Sequence, residues 1–267
     1  MSTTGTLRAL RKAAAVAVSG CAALALVAVP AATPALSALG DVVPKTAADD
    51  NSWLSFSSGV TPGGAIRIGS TDTTAKATRC TSGFATTSPT SKYTVVTAGH
   101  CFRNYGPHSF YAVAGEADYR RLGEVTVFQD RDNTGKVVDF ESDFAIIPVT
   151  SGIGNHGTAW VADQYKVSRL YDRDDLHVGM KLCKYGYRTE ETCGTITDVN
   201  DEFVRASVFS LSGDSGSPAY TKLSDGTVAA VGVLSGSPRD SDGNVDDYVT
   251  DFALLAPILD TQGLELA

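Results

Sequence analysis

Gly213-Asp214-Ser215-Gly216-Ser217-Pro218 places a serine between two glycines and directly after an aspartate. A serine hydroxyl is a weak nucleophile at neutral pH, so it needs a base beside it and a site that takes up the negative charge it creates. Small neighbours let a substrate carbonyl approach closely. They also let the backbone turn so that N–H groups point at a developing oxyanion. Glycine- and serine-rich turns are common hairpin loops as well, so the meaning of the hexapeptide depends on what else the chain carries.

Two further stretches supply it. Tyr93-Thr94-Val95-Val96-Thr97-Ala98-Gly99-His100-Cys101 is an apolar β-type run ending in a histidine beside a cysteine, and Ser142-Asp143-Phe144-Ala145-Ile146-Ile147 is an aspartate leading into another apolar strand. The order His100, Asp143, Ser215 is that of the chymotrypsin-type triad, not the Ser-Asp-His order of α/β-hydrolases or the Asp-His-Ser order of subtilisins. Gly213-x-Ser215-x-Ser217 also lacks the last glycine of the hydrolase elbow. On the stretches Thr97–Cys101 ("TAGHC") and Gly213–Gly216 ("GDSG") taken together, the chain resembles a chymotrypsin-fold serine protease of the secreted bacterial streptogrisin-like branch, from about Gly63 to the C-terminus.

The resemblance implies an all-β fold of two antiparallel six-stranded Greek-key β-barrels with the active site between them. His100 and Asp143 come from the first barrel and Ser215 from the second. His100 would be the general base, since an ordinary imidazole is mostly neutral near pH 7. Asp143 would accept a hydrogen bond from it and stabilise the imidazolium. Asp139 is the competing carboxylate; Asp143 is preferred because, as in the family, it stands just before an apolar strand. Ser215 would form an acyl-enzyme, with the backbone N–H groups of Gly213 and Ser215 as the oxyanion hole. Asp214 would shape that hole through a buried ion pair, with Lys184 or Arg188 as its partner.

By the same resemblance, Ser235-Gly236-Ser237 lines the substrate cleft and pairs with the peptide backbone as an added strand. Trypsin-like members carry an acidic residue six positions before the nucleophile, at the base of the P1 pocket; here that position holds Phe209. Phe209 is therefore read as substrate-binding and as speaking against arginine or lysine at P1, although Asp246 or Asp247 could approach from the other wall. An apolar or small P1 residue is expected. Ser217 replaces the second glycine of the commoner GDSGGP pattern.

The rest of the chain fits export. Its 267 residues are enough for one large all-β domain or two small ones. A formal charge of −8 argues against a nucleic-acid partner, which calls for a basic surface. Arg8, Arg11 and Lys12 precede an apolar run from Ala13 to Val29, with small residues following through Ala38. Residues 1–38 therefore read as a secretory signal peptide, with an uncleaved anchor as the alternative because the run approaches membrane-spanning length. Val18-Ser19-Gly20-Cys21 resembles a lipoprotein processing site, but most of the apolar sequence follows Cys21 instead of preceding it.

The other four cysteines, Cys80, Cys101, Cys183 and Cys193, allow three pairings. Sequential pairing, Cys80–Cys101 and Cys183–Cys193, closes two short loops and keeps each bond within one half of the chain. The resemblance implies the bond beside the histidine. The spacing lacks the C-x-x-C pattern of a zinc site, and no metal or cofactor is expected. Asp130–Gly135 and Asp240–Asp247 resemble calcium loops but lack the terminal glutamate, so they read as solvated acidic turns.

Residues 39–62 read as an N-terminal extension or short pro-segment, 63–155 as the first barrel and 156–267 as the second with a C-terminal segment. Strands are expected over 63–69, 78–86, 93–97, 110–113, 121–128, 136–140 and 143–149 in the first half. In the second half they are expected over 180–186, 193–199, 204–209, 227–235 and 247–252, with a short helix over 254–260 that Pro257 limits. The expected function is a secreted, extracellular and monomeric serine endopeptidase. It would act on protein or peptide substrates without nucleic acid, and without a membrane once the signal is removed. A catalytically silent binding protein on the same fold and a membrane-tethered surface protease are the alternatives.

Overall fold

Short runs rich in β-branched residues, broken by glycine and polar turns, build nearly all of the regular structure. The computed structural model describes residues 61–68, 78–89, 93–102, 110–113, 119–123, 126–128, 143–148, 160–201 and 203–267. The expected signal peptide, Cys21, Asp139, the 130–135 loop and the 136–140 strand lie outside these residues.

In the first half, one sheet is ordered β2 (Thr78–Thr81), β1 (Ala65–Ile68), β5 (Phe110–Val113), β6 (Tyr119–Gly123). A second is ordered β3 (Ala85–Thr87), β4 (Thr94–Thr97), β8 (Phe144–Pro148), β7 (Thr126–Phe128). The strand expected over 78–86 breaks at Ser82-Gly83-Phe84, and the one expected over 121–128 is also split between the two sheets. Gly83 marks the first corner, where an added Cβ would lie 2.0 Å from the Val96 carbonyl. Each bent segment gives a strand to both sheets, so the six segments follow one another in closed order. Ile66, Ile68, Val95, Phe102 and Ile147 fill the space between, together with the Cys80–Cys101 disulfide.

The second half is a ring of β14 (Pro218–Lys222), β11 (Lys181–Gly186), β12 (Glu190–Val199), β13 (Phe203–Ala206), β16 (Thr250–Leu254) and β15 (Val228–Gly236), closed because β15 also pairs with β14. All six pairings are antiparallel. The expected strands omitted β14. Its opening proline suits only the first residue of a strand, which is the place it takes. β10 (Tyr165–Leu170), also not expected, runs parallel to β15 outside the ring and carries β9 (Trp160–Val161). The Cys183–Cys193 disulfide joins residues directly opposite each other on β11 and β12.

The two halves share a core. Phe84, Val96 and Phe144 of the first pack with Tyr185, Tyr220 and Val233 of the second, and with Leu255, Ile258 and Leu259 of helix α1 (Leu255–Gln262). Pro257 falls in the first turn of α1, where an N–H has no intrahelical acceptor to lose. Gly263, at φ +62°, ends the helix by donating to the Asp260 and Leu259 carbonyls. The chain then crosses to the first half, where β17 (Glu265–Leu266) pairs with β3 and Ala267 N–H donates to the Ala85 carbonyl at 3.1 Å. Thr61 and Pro62, expected in the N-terminal extension, are packed into the domain, and the Pro62 carbonyl accepts from Ala162 N–H at 2.8 Å.

Leu264, 8 % exposed, anchors the returning tail in the shared core. Leu264→Ala is expected to cost about 2 kcal/mol, a fall in Tm of about 4–8 °C for a domain of this size, read by calorimetry on the purified protein. An unchanged Tm would show that the tail does not brace the two halves.

Candidate active site

The register of β4 against β8 brings the first two residues together. Thr97 lies opposite Ala145, so the chain leaving β4 and the chain entering β8 emerge side by side. The 3-10 turn Gly99–Phe102 then presents His100 to Asp143, which stands one residue before β8. Asp143 Oδ1 accepts the His100 backbone N–H at 2.7 Å, and His100 Nδ1 lies 2.8 Å from Oδ2 and 3.1 Å from Oδ1. An ionised carboxylate only accepts, so Nδ1 carries the proton and Nε2 of the neutral ring is the acceptor. Nε2 lies 2.8 Å from Ser215 Oγ. Asp143 is fully buried, while the His100 side chain keeps 18 % of its surface. Such a row lets the imidazole take the hydroxyl proton while the carboxylate steadies the resulting charge.

Ser235, expected to line the cleft, has its side chain buried instead, and its hydroxyl donates to Asp143 Oδ2. Its sequence neighbours Gly236 and Ser237 are partly exposed. That a serine on β15 would brace the aspartate had no signal in the sequence, because the contact spans 92 residues.

Ser215 sits in a tight turn. Gly213 has φ +110° and Gly216 φ +86°, both in the region that a side chain disfavours. At Gly216 a Cβ would stand 2.0 Å from Thr97 Oγ1, so a larger residue cannot fit against the first half. Among the described residues, neither the Gly213 N–H nor the Ser215 N–H donates to another protein atom. Buried backbone donors are rarely left unpaired; two beside one hydroxyl form a site for an anionic oxygen. Ser217, in place of the commoner glycine, is buried and satisfied, with its hydroxyl donating to the Asp214 carbonyl.

The Asp214 side chain points away from Ser215 into the tip of the β11–β12 hairpin. Its carboxylate accepts from Leu211 N–H (3.0 Å), Arg188 N–H (3.1 Å), Thr189 N–H (3.2 Å) and the Thr189 hydroxyl (2.6 Å). Lys184 Nζ lies 3.5 Å away, donates to the same Thr189 hydroxyl, and is fully buried like Asp214. Of the two expected partners, Lys184 therefore supplies the ammonium, and Arg188 supplies a main-chain N–H while its guanidinium donates to the Ser212 carbonyl. Desolvation pulls the Lys184 pKa below the ordinary lysine value, and the charge and hydrogen bond of Asp214 oppose this.

Phe209 is buried, with its ring 5.1 Å from that of Tyr248. Beside it runs a chain of hydroxyls. Thr250 Oγ1 donates to the Val208 carbonyl (2.7 Å) and so accepts from Ser210 Oγ (2.9 Å), with Ser237 Oγ 3.4 Å from Ser210. Ser210 N–H donates to the Asp247 carbonyl at 2.8 Å. Asp247 thus reaches this region through its backbone, and Asp246 is exposed and accepts from Tyr248 N–H.

Two acidic groupings bear on metal binding. Asp240 uses its carboxylate on its own turn, accepting from Asp242 N–H, Asn244 N–H and the Asn244 amide, and these bonds hold its pKa below the usual range. Cys183, Glu191 and Cys193 lie close enough to share an ion. The two sulfurs are joined to each other, however, and Glu191 accepts from Tyr220, Tyr165 and Lys222.

Comparison with known proteins bears on the family and the fold. Two uncharacterized proteins of Mycobacterium tuberculosis, MT1863 and Rv1815, are 34 % and 33 % identical over 149 residues, a match that covers 52 % of this chain and 61 % of each relative. A glutamic-acid-specific serine protease, described as using a histidine triad in substrate binding, superposes with TM-score 0.55 at 25 % identity over 78 % of this chain and 100 % of its own. Nocardiopsis protease superposes with TM-score 0.53 at 24 % identity over 78 % of this chain and 98 % of its own, which bears on the fold alone. With the trypsin family model matching residues 60–259, this chain belongs to the trypsin family, and its fold is that of the bacterial chymotrypsin-like serine proteases.

Proposed function

We propose that the protein is a secreted serine endopeptidase with His100, Asp143 and Ser215 as its triad. The observation that carries the reading is the unbroken row from buried Asp143 through His100 to Ser215 Oγ, 2.8 Å from Nε2. Ser215 Oγ attacks the scissile carbonyl carbon and its proton passes to Nε2. The carbonyl oxygen becomes an oxyanion facing the Gly213 and Ser215 N–H groups. As the C–N bond breaks, the imidazolium gives its proton to the leaving amine. Water then hydrolyses the acyl-enzyme by the same steps. Two disulfides suit an oxidising compartment. Among the described residues no helix is long and apolar enough to cross a membrane. Residues 1–38 would be removed on export, and the rest would act as a monomer on protein or peptide substrates.

For specificity, the Phe209 ring packs against Tyr248, its carbonyl accepts from the Thr192 hydroxyl, and the next residue, Ser210, begins a chain of hydroxyls with Thr250 and Ser237, all uncharged side chains. His177, the described histidine besides His100, is exposed in the turn before β11, at the end of that strand away from the Asp214 site. Both observations support an apolar or small P1 residue over a basic or glutamate one.

Labelling of the purified protein with a fluorophosphonate, with the adduct located by mass spectrometry, tests the proposal. Ser215 is expected to carry the label and His100→Ala to lose it, with turnover falling about 10⁴-fold or more in Ser215→Ala or His100→Ala. A correctly folded protein that takes no label would favour a silent binding protein. In a mixed peptide pool, cleavage is expected after apolar or small residues; dominant cleavage after Arg, Lys or Glu would overturn the specificity reading.

Lys184 adds a pH dependence. Its folded pKa is lowered, so as pH rises through that value the ammonium loses its proton below the ordinary 10.5 and the buried Asp214 carboxylate loses its counter-charge. Activity is therefore expected to fall on the alkaline side, and Lys184→Arg, which keeps its charge, to move the fall to higher pH. An identical alkaline limb in the two proteins would separate Lys184 from it.

A further inference from the structure

We propose that Thr81 is a positioning residue for the oxyanion site: its hydroxyl, held in the first half, fixes the Gly213 peptide of the second. This rests on the protease reading above and adds a residue to it. Thr81 ends β2 and is fully buried. Its hydroxyl donates to the Gly213 carbonyl at 3.0 Å and accepts from Tyr187 N–H at 3.1 Å. The directions are forced, because a carbonyl only accepts and an amide N–H only donates. Its backbone N–H donates to the Ser215 carbonyl at 2.8 Å, and its own carbonyl accepts from Thr97 Oγ1 at 2.7 Å. One residue thus holds both ends of the Gly213–Ser215 turn and the chain at Tyr187 across separations of more than a hundred residues.

The chemistry follows from what Gly213 must do. Its N–H has to point at an oxygen that becomes charged only during reaction, and a glycine has little intrinsic preference to aim it. The aim has to come from contacts on the peptides around it. The peptide that follows Gly213 is pinned at both polar atoms: its oxygen by Thr81 and its N–H, that of Asp214, by the Leu211 carbonyl at 2.9 Å. Tyr187 closes the remaining side, since a Cβ on Gly213 would lie 2.7 Å from its hydroxyl. Without the Thr81 hydroxyl, the Gly213 carbonyl and the Tyr187 N–H lose a partner in a closed site, and the peptide is held at its Asp214 N–H end alone. Thr81 also follows Cys80, whose disulfide reaches Cys101 beside His100, so base, nucleophile and oxyanion site share one anchor.

The test compares Thr81→Val, which keeps the shape and removes the hydroxyl, with Thr81→Ser, which keeps the hydroxyl. Thr81→Val is expected to lower kcat about 10- to 100-fold, less than outright loss of an oxyanion donor, with KM changed less than about threefold and Thr81→Ser close to wild type. Affinity for a peptidyl trifluoromethyl ketone, whose adduct places an anionic oxygen in the hole, is expected to fall in step with kcat/KM. Wild-type kcat and ketone affinity in Thr81→Val, or equal losses in Thr81→Val and Thr81→Ser, would overturn the proposal.

Amide hydrogen exchange of the segment 211–217 gives a readout independent of turnover. It is expected to quicken in Thr81→Val and not in Thr81→Ser, and unchanged exchange in both overturns the role of Thr81. Should Thr81→Val not fold, Thr81→Ala is compared with Thr81→Ser in the same way. A wild-type protein that takes no fluorophosphonate label sinks the protease reading, while the exchange result still decides whether Thr81 holds the turn.

Discussion

The carboxylate of Asp214 lies wholly out of water, one residue from Ser215. Burying a lone carboxylate costs several kcal/mol even after the protein relaxes, unless a counter-charge and hydrogen bonds offset it. That requirement dictates the tip of the β11–β12 hairpin. Three backbone N–H groups, one hydroxyl and one ammonium converge there, and Gly186 lacks a Cβ that would stand 2.2 Å from Asp214 Oδ1. The cross-strand disulfide sits one pair back along the same hairpin, next to the Lys184–Thr192 pair. With the carboxylate held there, residues 211–216 have few shapes left, and the one they take leaves two N–H groups unpaired beside Ser215.

The histidine side meets an equal demand by different means. At Asp143 the charge is met by the His100 ring, the His100 backbone N–H and the Ser235 hydroxyl. Ser235 belongs to the second barrel, so even the aspartate of the first half is completed across the interface. The Thr81 hydroxyl binds the other way, from the first half to the Gly213 carbonyl beside Ser215, and Thr97 Oγ1 backs it by donating to the Thr81 carbonyl. The site therefore exists only where the halves meet, and the shared core beneath it, with the C-terminal chain returning to β3, keeps them in register.

Much of this was legible in the sequence because the informative residues are local. A histidine after an apolar strand, an aspartate before one and a serine among glycines each announce themselves within a few positions, and their order separates this fold from other hydrolases. The strand pattern was legible for the same reason wherever alternation ran unbroken. It failed at β14, which opens on a proline, at β10, whose register with β15 shifts between Val167 and Arg169, and at the Ser82–Phe84 corner. There the decisive fact is how closely two chains approach, and alternation carries no record of that.

The contacts that were not legible share one property: they join residues far apart in sequence through ordinary side chains. Ser235, Thr81 and Thr189 are a serine and two threonines of the kind found in any strand or turn. Their roles come from burial at the junction, where each hydroxyl both meets a polar group's need and fixes that group's direction. The packing around Phe209 follows the same logic without a charge. The resemblance pointed to that position as the seat of specificity, yet the ring is occupied by Tyr248 and the polar work falls to a chain of hydroxyls ending on the Val208 carbonyl. Such a chain carries no full charge, so a group packed against it meets hydroxyl dipoles alone and the cost of burying its own polar atoms.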